Sequence, residues 1–385
     1  MKSLYKKKLI PYILIVIFVV FSTFSLWLPF LANLKEFWGI KLPQGGFEVI
    51  EANWDGPLYI ISTKTSYNPN NEIFIDPPLG LSAQYYAAHL PLYPLTIKIV
   101  ANVMSYPKAM LISTLLASAL LFCLFYFFIK KHSLTGHPLL LTTLLMFWPR
   151  LLIVRSIGSP EPLFLLLVLV SVFLFIEKRF FLASLFGALS VVTKTPGVIL
   201  FPACGLYFIY DYFKTKKISL SSLWIILIPL SLLGVFQFYN IQLNDFFAYY
   251  HTGAVVPITR LFAMFNQNAK WVGTAWLEDI VFIFLLLLSA ALVAITNKQK
   301  EISPKLMIIG FFMITFLFSL GFVEHRDISR YSLPIVPFAF ISLEKFFTDK
   351  RFLVACCLVL PAIYLYAINF IASNAAPITN WLPFM

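Results

Sequence analysis

Charge is what this chain has least of. Asp, Glu, Lys and Arg make up 12% of its 385 residues, about half of what a soluble globular protein carries. That is too little polar surface to cover a 44.0 kDa globule in water, so a soluble enzyme is excluded. Disorder is excluded as well: with 60% hydrophobic residues and a mean hydropathy of +0.85, the chain must collapse or insert into a bilayer. The alternating segments of about ten residues that build a transmembrane β-barrel are missing. Cysteine is scarce, and Cys123, Cys204, Cys356 and Cys357 all fall inside apolar runs, where thiols pack rather than form disulfides or metal clusters. There is no Asn-x-Ser/Thr sequon, in keeping with a prokaryotic source. HExxH, Cys-x-x-Cys and Asp-x-Asp are absent too, and Gly45-Gly46 lacks the companions of a phosphate loop. No metal and no cofactor are expected.

What the chain does have is long unbroken apolar runs. Lys6-Lys7-Lys8 precede Leu9–Phe30, whose 22 residues would span about 33 Å as a helix, enough for a hydrocarbon core of about 30 Å. No small-x-small cleavage site follows, so this reads as a retained first span. Further runs lie at roughly 108–129, 138–154, 161–176, 180–193, 198–212, 219–243, 277–296, 306–323, 331–345 and 352–371. The expectation is an all-α polytopic membrane protein of about eleven spans, forming one integral-membrane domain over 1–385. Two connecting segments are long, 31–107 and 244–276, and loops of that length usually carry function or elements of their own. Leu95–Met104 reads either as a short interfacial helix or as the start of the second span.

Placing the net charge of +12 settles the orientation. With the N-terminus in the cytoplasm, the cytoplasmic segments collect 17 of the 29 bases and 5 of the 17 acids, which leaves the other side neutral. The whole positive excess then lies on one face, as the positive-inside rule requires, and a nucleic-acid partner is unnecessary. A bacterial or archaeal plasma membrane fits this reading, with both long loops on the external face.

The runs between 138 and 212 are short for a bilayer. They meet at two polar, Pro-rich junctions, Arg155-Ser-Ile-Gly-Ser-Pro-Glu-Pro162 and Thr193-Lys-Thr-Pro-Gly197. Broken backbone cannot face lipid, so both junctions must be buried in protein or line a wet cavity. Around them gather charges improbable at membrane depth: Arg150, Arg155, Glu161, Lys194, and the turn Glu324-His325-Arg326-Asp327 with Arg330. Such groups point to a functional site; otherwise they are interfacial anchors and local ion pairs. In the first loop, Trp54 and Tyr59 read as headgroup-level anchors that would hold Asp55 at the membrane surface. Gly56-Pro57 suits a helix start, with Asp55 near its positive end; taken alone, Asp55 is a capping residue. Glu51 would share its face if that stretch is helical.

The order of these elements resembles the GPI mannosyltransferase II (PIG-V-like) family. Trp54-Asp55-Gly56 with Tyr59 looks like that family's Trp-Asp element in its first lumenal loop. Pro91-Leu-Tyr-Pro94, two residues after His89, looks like its Phe-Pro-Leu-Tyr-Pro. Ser159-Pro-Glu-Pro-Leu-Phe164 is similar to its Tyr-Ser-Glu-Ser-Leu-Phe, Thr193-Lys-Thr-Pro-Gly197 to its Thr-Arg-x-x-Gly, and Arg330-Tyr-Ser-Leu-Pro334 to its Arg-Tyr-x-x-Pro. These five elements cover the chain from about 50 to 340. The resemblance implies a GT-C-like fold, a polyprenyl-phosphate-linked sugar donor, inverting transfer of a mannose-like sugar, and a catalytic acid in the first external loop. Lys194 departs from the family arginine and replaces a bidentate fork with a point charge; Arg150 and Arg155 are extra cations.

Transfer from a lipid-phosphate sugar needs an activated acceptor hydroxyl, stabilisation of the departing phosphate and a greasy groove. Asp55 is the expected general base. Arg330, Lys194 and Arg155, with His325, are the expected phosphate-binding cations. Glu161 is expected to orient a cation, and Glu51 and His89 to help bind a lipid or glycan acceptor. Two other readings fit the buried charges: a transporter or flippase of lipid-linked sugars, and a noncatalytic assembly subunit. A transporter needs gates on both sides and usually repeats; here the polar residues crowd one face, and no internal repeat is visible.

Overall fold

A computed structural model describes residues 2–217, 220–255, 258–265, 274–299 and 303–385. It is almost wholly helical. The helices in chain order are α1 (Lys2–Leu31), α2 (Glu48–Glu51), α3 (Gly56–Thr65), α4 (Leu92–Val100), α5 (Tyr106–Lys131), α6 (Pro138–Met146), α7 (Pro149–Val154), α8 (Glu161–Ile176) and α9 (Phe180–Thr193). They continue as α10 (Leu200–Thr215), α11 (Leu227–Leu243), α12 (Ala248–His251), α13 (Thr274–Thr296), α14 (Ser303–Leu320), α15 (Ile328–Tyr331), α16 (Val336–Ser342), α17 (Glu344–Phe347) and α18 (Lys350–Ser373). The one sheet among the described residues is a two-stranded ribbon, β1 (Glu36–Phe37) against β2 (Ile40–Lys41).

Six helical segments are long and apolar enough to cross a membrane: Leu9–Leu31, Tyr106–Lys131, Thr195–Thr215, Leu220–Leu243, Leu277–Thr296 and Lys350–Ser373. Three shorter apolar helices accompany them, Glu161–Ile176, Phe180–Thr193 and Pro304–Leu320. The chain is an integral membrane protein of helical type, as its composition requires. Two of the eleven expected spans are not single helices. The 138–154 run breaks at Phe147-Trp148, ahead of Pro149, because a proline cannot donate to the preceding turn and disfavours helical geometry in its predecessor. The 331–345 run divides into α15, a 3-10 turn at Leu333–Ile335, α16 and α17, with Pro334 and Pro337 at its joints. The run expected at 198–212 is longer, since a 3-10 turn at Thr195–Ile199 leads into α10.

Of four apolar clusters among the described residues, two large ones form the main cores. In the first, α5, α8, α14 and α16 meet through Phe122, Phe125, Leu165, Val168, Phe312, Phe316 and Phe338. The second belongs to the 31–107 segment, which is packed rather than loose: Ile50, Tyr59, Ile61, Tyr86, Tyr93 and Ile97 pack with Leu152 and Ile153 of α7 and Ile368 of α18. Within it, α4 is a helix separate from α5, which decides between the two readings of Leu95–Met104. Of the second long segment, residues 256–257 and 266–273 lie outside the described residues.

Close packing at one end of the bundle sets up the rest. A Cβ on Gly158 would sit 2.3 Å from the Met110 sulfur, so the α7–α8 junction presses onto α5 closely enough that any larger residue there would displace the Met110 side chain. Thr114 on α5 pins that junction: its Oγ1 accepts from the Ser159 amide (3.2 Å) and donates to the Ser159 carbonyl (3.1 Å). Gly197 plays the same part after α9, where a Cβ would meet the Ser190 hydroxyl at 2.5 Å.

Candidate active site

The two junctions, the start of α3 and the short helix α15 bring four charged side chains together. Asp55 immediately precedes α3, but its carboxylate caps nothing. Instead Arg330 on α15 donates from Nη2 to Asp55 Oδ2 at 3.2 Å and from Nε to Glu161 Oε1 at 2.6 Å. Lys194, at the end of α9, donates to the same Glu161 oxygen at 2.6 Å. Ser159 donates to the other one. Glu161 is therefore a buried hub that holds two cations side by side. The more open members are Asp55 and Lys194, whose side chains are 32% and 20% exposed, so the acid and one cation face the accessible side of the cluster. Nη1 of Arg330 makes no hydrogen bond to the described residues.

Trp54 forms the floor. Its φ of 53° places it in the left-handed region, which a bulky side chain rarely adopts and which persists only when the surroundings enforce it. The enforcement is visible. The Trp54 amide donates to the Asn374 carbonyl (2.9 Å), the Ala376 amide to the Ala52 carbonyl (2.8 Å), and the Asn53 side-chain amide to the Ile371 carbonyl (2.7 Å). A β-bridge between Asn53 and Ala375 completes this clamp by the segment after α18. The indole then lies beneath two guanidinium groups, Arg330 at 4.1 Å and Arg150 at 5.0 Å from the ring centre. Arg150 also lies over Phe370 at 4.3 Å and is neutralised by Asp327. Such cation–π contacts are each worth about 0.5–2 kcal/mol.

His89 and Tyr59 line the neighbouring wall. Their rings meet edge-on at 4.8 Å, and Tyr59 meets Tyr93 at 5.0 Å. His89 is buried with Nδ1 lacking a hydrogen-bond partner. Burial pushes its imidazole down to about 4, Asp55 opposes the shift, and the Arg330 and Lys194 charges reinforce it. A neutral ring is what this position holds near pH 7.

Asp55, Arg330, Glu161 and Lys194 thus form one cluster, with His89 beside it. Three expectations do not hold. Arg155 is buried away from the cluster, and its guanidinium is taken up by Thr23 Oγ1 (2.6 Å), Ser22 Oγ (2.8 Å) and the carbonyls of Val19 and Met146, both at 3.3 Å. It ties α1 to the α7–α8 junction. Glu51 does not share a helix face with Asp55, because the chain breaks between α2 and α3 at Trp54; burial raises its carboxyl, with Lys108 opposing and Glu48 reinforcing. Trp54 and Tyr59 are not headgroup anchors, since one floors the cluster and the other is buried in the second core. His325 sits at the rim, with Nδ1 accepting from the Asp327 amide at 2.9 Å and its ring edge-on to Tyr331 at 5.2 Å. Sequence reading missed the Arg150–Asp327 pair, although both residues stood out as charges in apolar surroundings.

Among the described residues no three His, Cys, Asp or Glu side chains converge, and both cluster carboxylates are already engaged by cations.

Comparison with solved structures places the architecture. The chain superposes on the oligosaccharyltransferase of Archaeoglobus fulgidus in its apo form with a TM-score of 0.58 at 11% identity, over 96% of this chain and 57% of that one. The same archaeal enzyme tethered to an acceptor peptide containing the NVT sequon gives 0.55 at 11% identity, over 94% and 56%. The fold is GT-C-like. The chain spans a little over half the length of those enzymes, and the shared architecture at this identity is one of fold. No protein-family model and no curated protein matches the sequence. Within the GT-C frame, the cluster is built from the segment following the first span, two helix junctions and a late short helix.

Proposed function

We propose that this protein is an integral-membrane glycosyltransferase that moves a mannose-like sugar from a polyprenyl-phosphate donor to a lipid or glycan acceptor, with inversion, on the external face of the membrane. The observation that carries the reading is the contact of Arg330 with both Asp55 and Glu161, which unites the one acid left partly open with two cations held ready for an anion. Support for the class comes from the fold, and for the mannosyltransferase flavour from the five sequence elements that resemble the PIG-V-like family.

Asp55 takes the proton from the acceptor hydroxyl while that oxygen bonds to the anomeric carbon. The bond from that carbon to the phosphate oxygen breaks on the opposite face, and the freed phosphate takes the electron pair. General-base catalysis of this kind contributes about 10²–10⁴-fold. Arg330 through Nη1, and Lys194 through the two protons that Glu161 does not occupy, receive the phosphate, and charge stabilisation in a water-poor site contributes comparably. Glu161 positions both cations without reacting. His89 stays a neutral wall for the sugar or the acceptor. The prenyl chain lies along the apolar helices, and the membrane supplies both substrates.

Asp55→Asn is the direct test. It keeps the shape and the Arg330 contact but cannot take a proton. Expression, insertion and donor binding should match wild type, while transfer from a radiolabelled polyprenyl-phosphate sugar falls by about 10²–10⁴-fold. Wild-type turnover would remove Asp55 from its role. Donor crossing sealed liposomes without any acceptor would instead favour a flippase.

A further inference from the structure

Arg150 and Asp327 take no part in the transfer chemistry, yet they form a buried ion pair beside it. Arg150 is the second residue of α7, Asp327 is the residue ahead of α15, and their side chains are only 7% and 8% exposed. Both charges lose their hydration there, so such a pair adds little net stability and can often be replaced by apolar side chains without loss. Its role has to be read from what it touches.

It touches every part of the frame around Arg330. Arg150 Nη2 donates to Asp327 Oδ2, and Nη1 reaches the Tyr366 hydroxyl of α18 at 3.4 Å. The same guanidinium covers Phe370 of α18 at 4.3 Å and the Trp54 indole at 5.0 Å. Asp327 in turn begins α15. Its carbonyl accepts from the amides of Arg330 (3.0 Å) and Tyr331 (3.1 Å), and its other carboxylate oxygen accepts from the Ser329 hydroxyl (3.3 Å). With four residues, α15 is a single turn, too short to hold its own conformation. Ile328 seats it against Met264 and Ile280, but apolar burial has no direction. The ion pair at its start supplies one, and Arg330 follows Asp327 by nearly one helical turn, so a shift at the first is carried to the second. The contact most sensitive to that shift is the bond from Arg330 to Asp55, which at 3.2 Å is the longer of its two carboxylate bonds. A further displacement of about 0.5 Å would break it.

We propose that Arg150 and Asp327 are positioning residues for Arg330: their ion pair fixes α15 against the Trp54 floor and thereby sets the distance between the guanidinium and the Asp55 carboxylate. Being neutral as a whole, the pair does this without adding charge to the site. This role rests on the reading of Asp55 as base and Arg330 as a phosphate-binding cation.

The test replaces the pair with apolar side chains, Arg150→Met/Asp327→Leu, because either single substitution would strand a buried charge. Tm should hold or rise. Transfer from a radiolabelled polyprenyl-phosphate sugar should lose about 10²-fold in kcat, the cost of an ångström-scale misplacement. The donor KM should stay within about threefold, since Lys194 and Arg330 keep the charges that bind phosphate. Arg150→Lys keeps the buried charges balanced but lacks the fork that also reaches Tyr366, so kcat should fall only about three- to tenfold at unchanged Tm. In an Arg330→Lys background the double substitution should cost less than about threefold more, because residues acting through one contact are not additive. Wild-type kcat in the double variant, wild-type kcat in Arg150→Lys, or full additivity with Arg330→Lys would overturn the positioning role and leave Asp55 in its own. A wild-type protein that transfers no sugar would overturn the underlying reading and this role together.

Discussion

Replacing Arg330 with lysine keeps one positive charge in the cluster and removes what only a planar, forked cation supplies. The guanidinium reaches Glu161 through Nε and Asp55 through Nη2 while stacking on Trp54 at 4.1 Å. A single ammonium can hold one carboxylate in that geometry, and it stacks less well. The loss is then one hydrogen bond between charged groups, about 1.5–3 kcal/mol, plus part of a cation–π contact, about 0.5–2 kcal/mol. Because Coulomb attraction to the second carboxylate survives in part, a net of about 2–3 kcal/mol is expected. At 1.36 kcal/mol per decade this is roughly a 30- to 150-fold fall in kcat/KM. Transfer of radiolabel from a polyprenyl-phosphate sugar in detergent, with native membranes supplying the acceptor, measures it. Thermal unfolding of the same preparation separates lost chemistry from lost fold. Turnover within twofold of wild type at unchanged Tm would mean that Arg330 merely balances buried charge, and the link between acid and cations would fail as a catalytic device.

The remaining predictions address neighbouring residues. Lys194→Ala should raise the donor KM about tenfold or more while Asp55 chemistry persists, read from initial rates against donor concentration. Arg155→Met should do the reverse: it removes the partner of the buried Thr23 hydroxyl, at about 1–3 kcal/mol, while Ser22 keeps the Phe18 carbonyl, so Tm falls while the donor KM holds. His89 titrates near 4 when folded and 6.5 when unfolded. Below pH 6.5 the unfolded chain takes up a proton that the native one refuses, so stability drops as pH falls from 6.5 to about 4, by up to about 3 kcal/mol. In His89→Gln, chemical denaturation across that interval should show this slope removed.

The helical membrane class was legible because long apolar runs report directly on the bilayer, and the GT-C-like fold was implied by the five elements that resemble the PIG-V-like family. Glu161, Lys194 and Arg330 were marked by their improbability in apolar surroundings, and Asp55 only by the resemblance of Trp54-Asp55-Gly56 to the PIG-V-like Trp-Asp element. What the sequence hid was partnership. Arg155 and Arg150 look alike as lone cations beside a junction, yet one is satisfied by hydroxyls and carbonyls of α1 and the other by Asp327. No local pattern distinguishes a cation bound by neutral groups from one waiting for a ligand. Trp54 was misread for a related reason, because the backbone contacts that force it under the guanidinium groups come from Asn374 and Ala376. Helix continuity failed where prolines fall, at Pro149 and Pro334, since apolar content alone does not separate a span from two half-helices.

The clamp between Asn53 and the segment after α18 ties together positions 318 residues apart in the case of the Asn53–Ile371 bond. During synthesis, every charged member of the cluster is made before that partner exists. A nascent chain paused after α15 would hold Asp55, Glu161, Lys194 and Arg330 but not the frame that turns Trp54 under them. The frame that turns Trp54 under the guanidinium groups therefore closes only after α18 and the residues that follow it have been made.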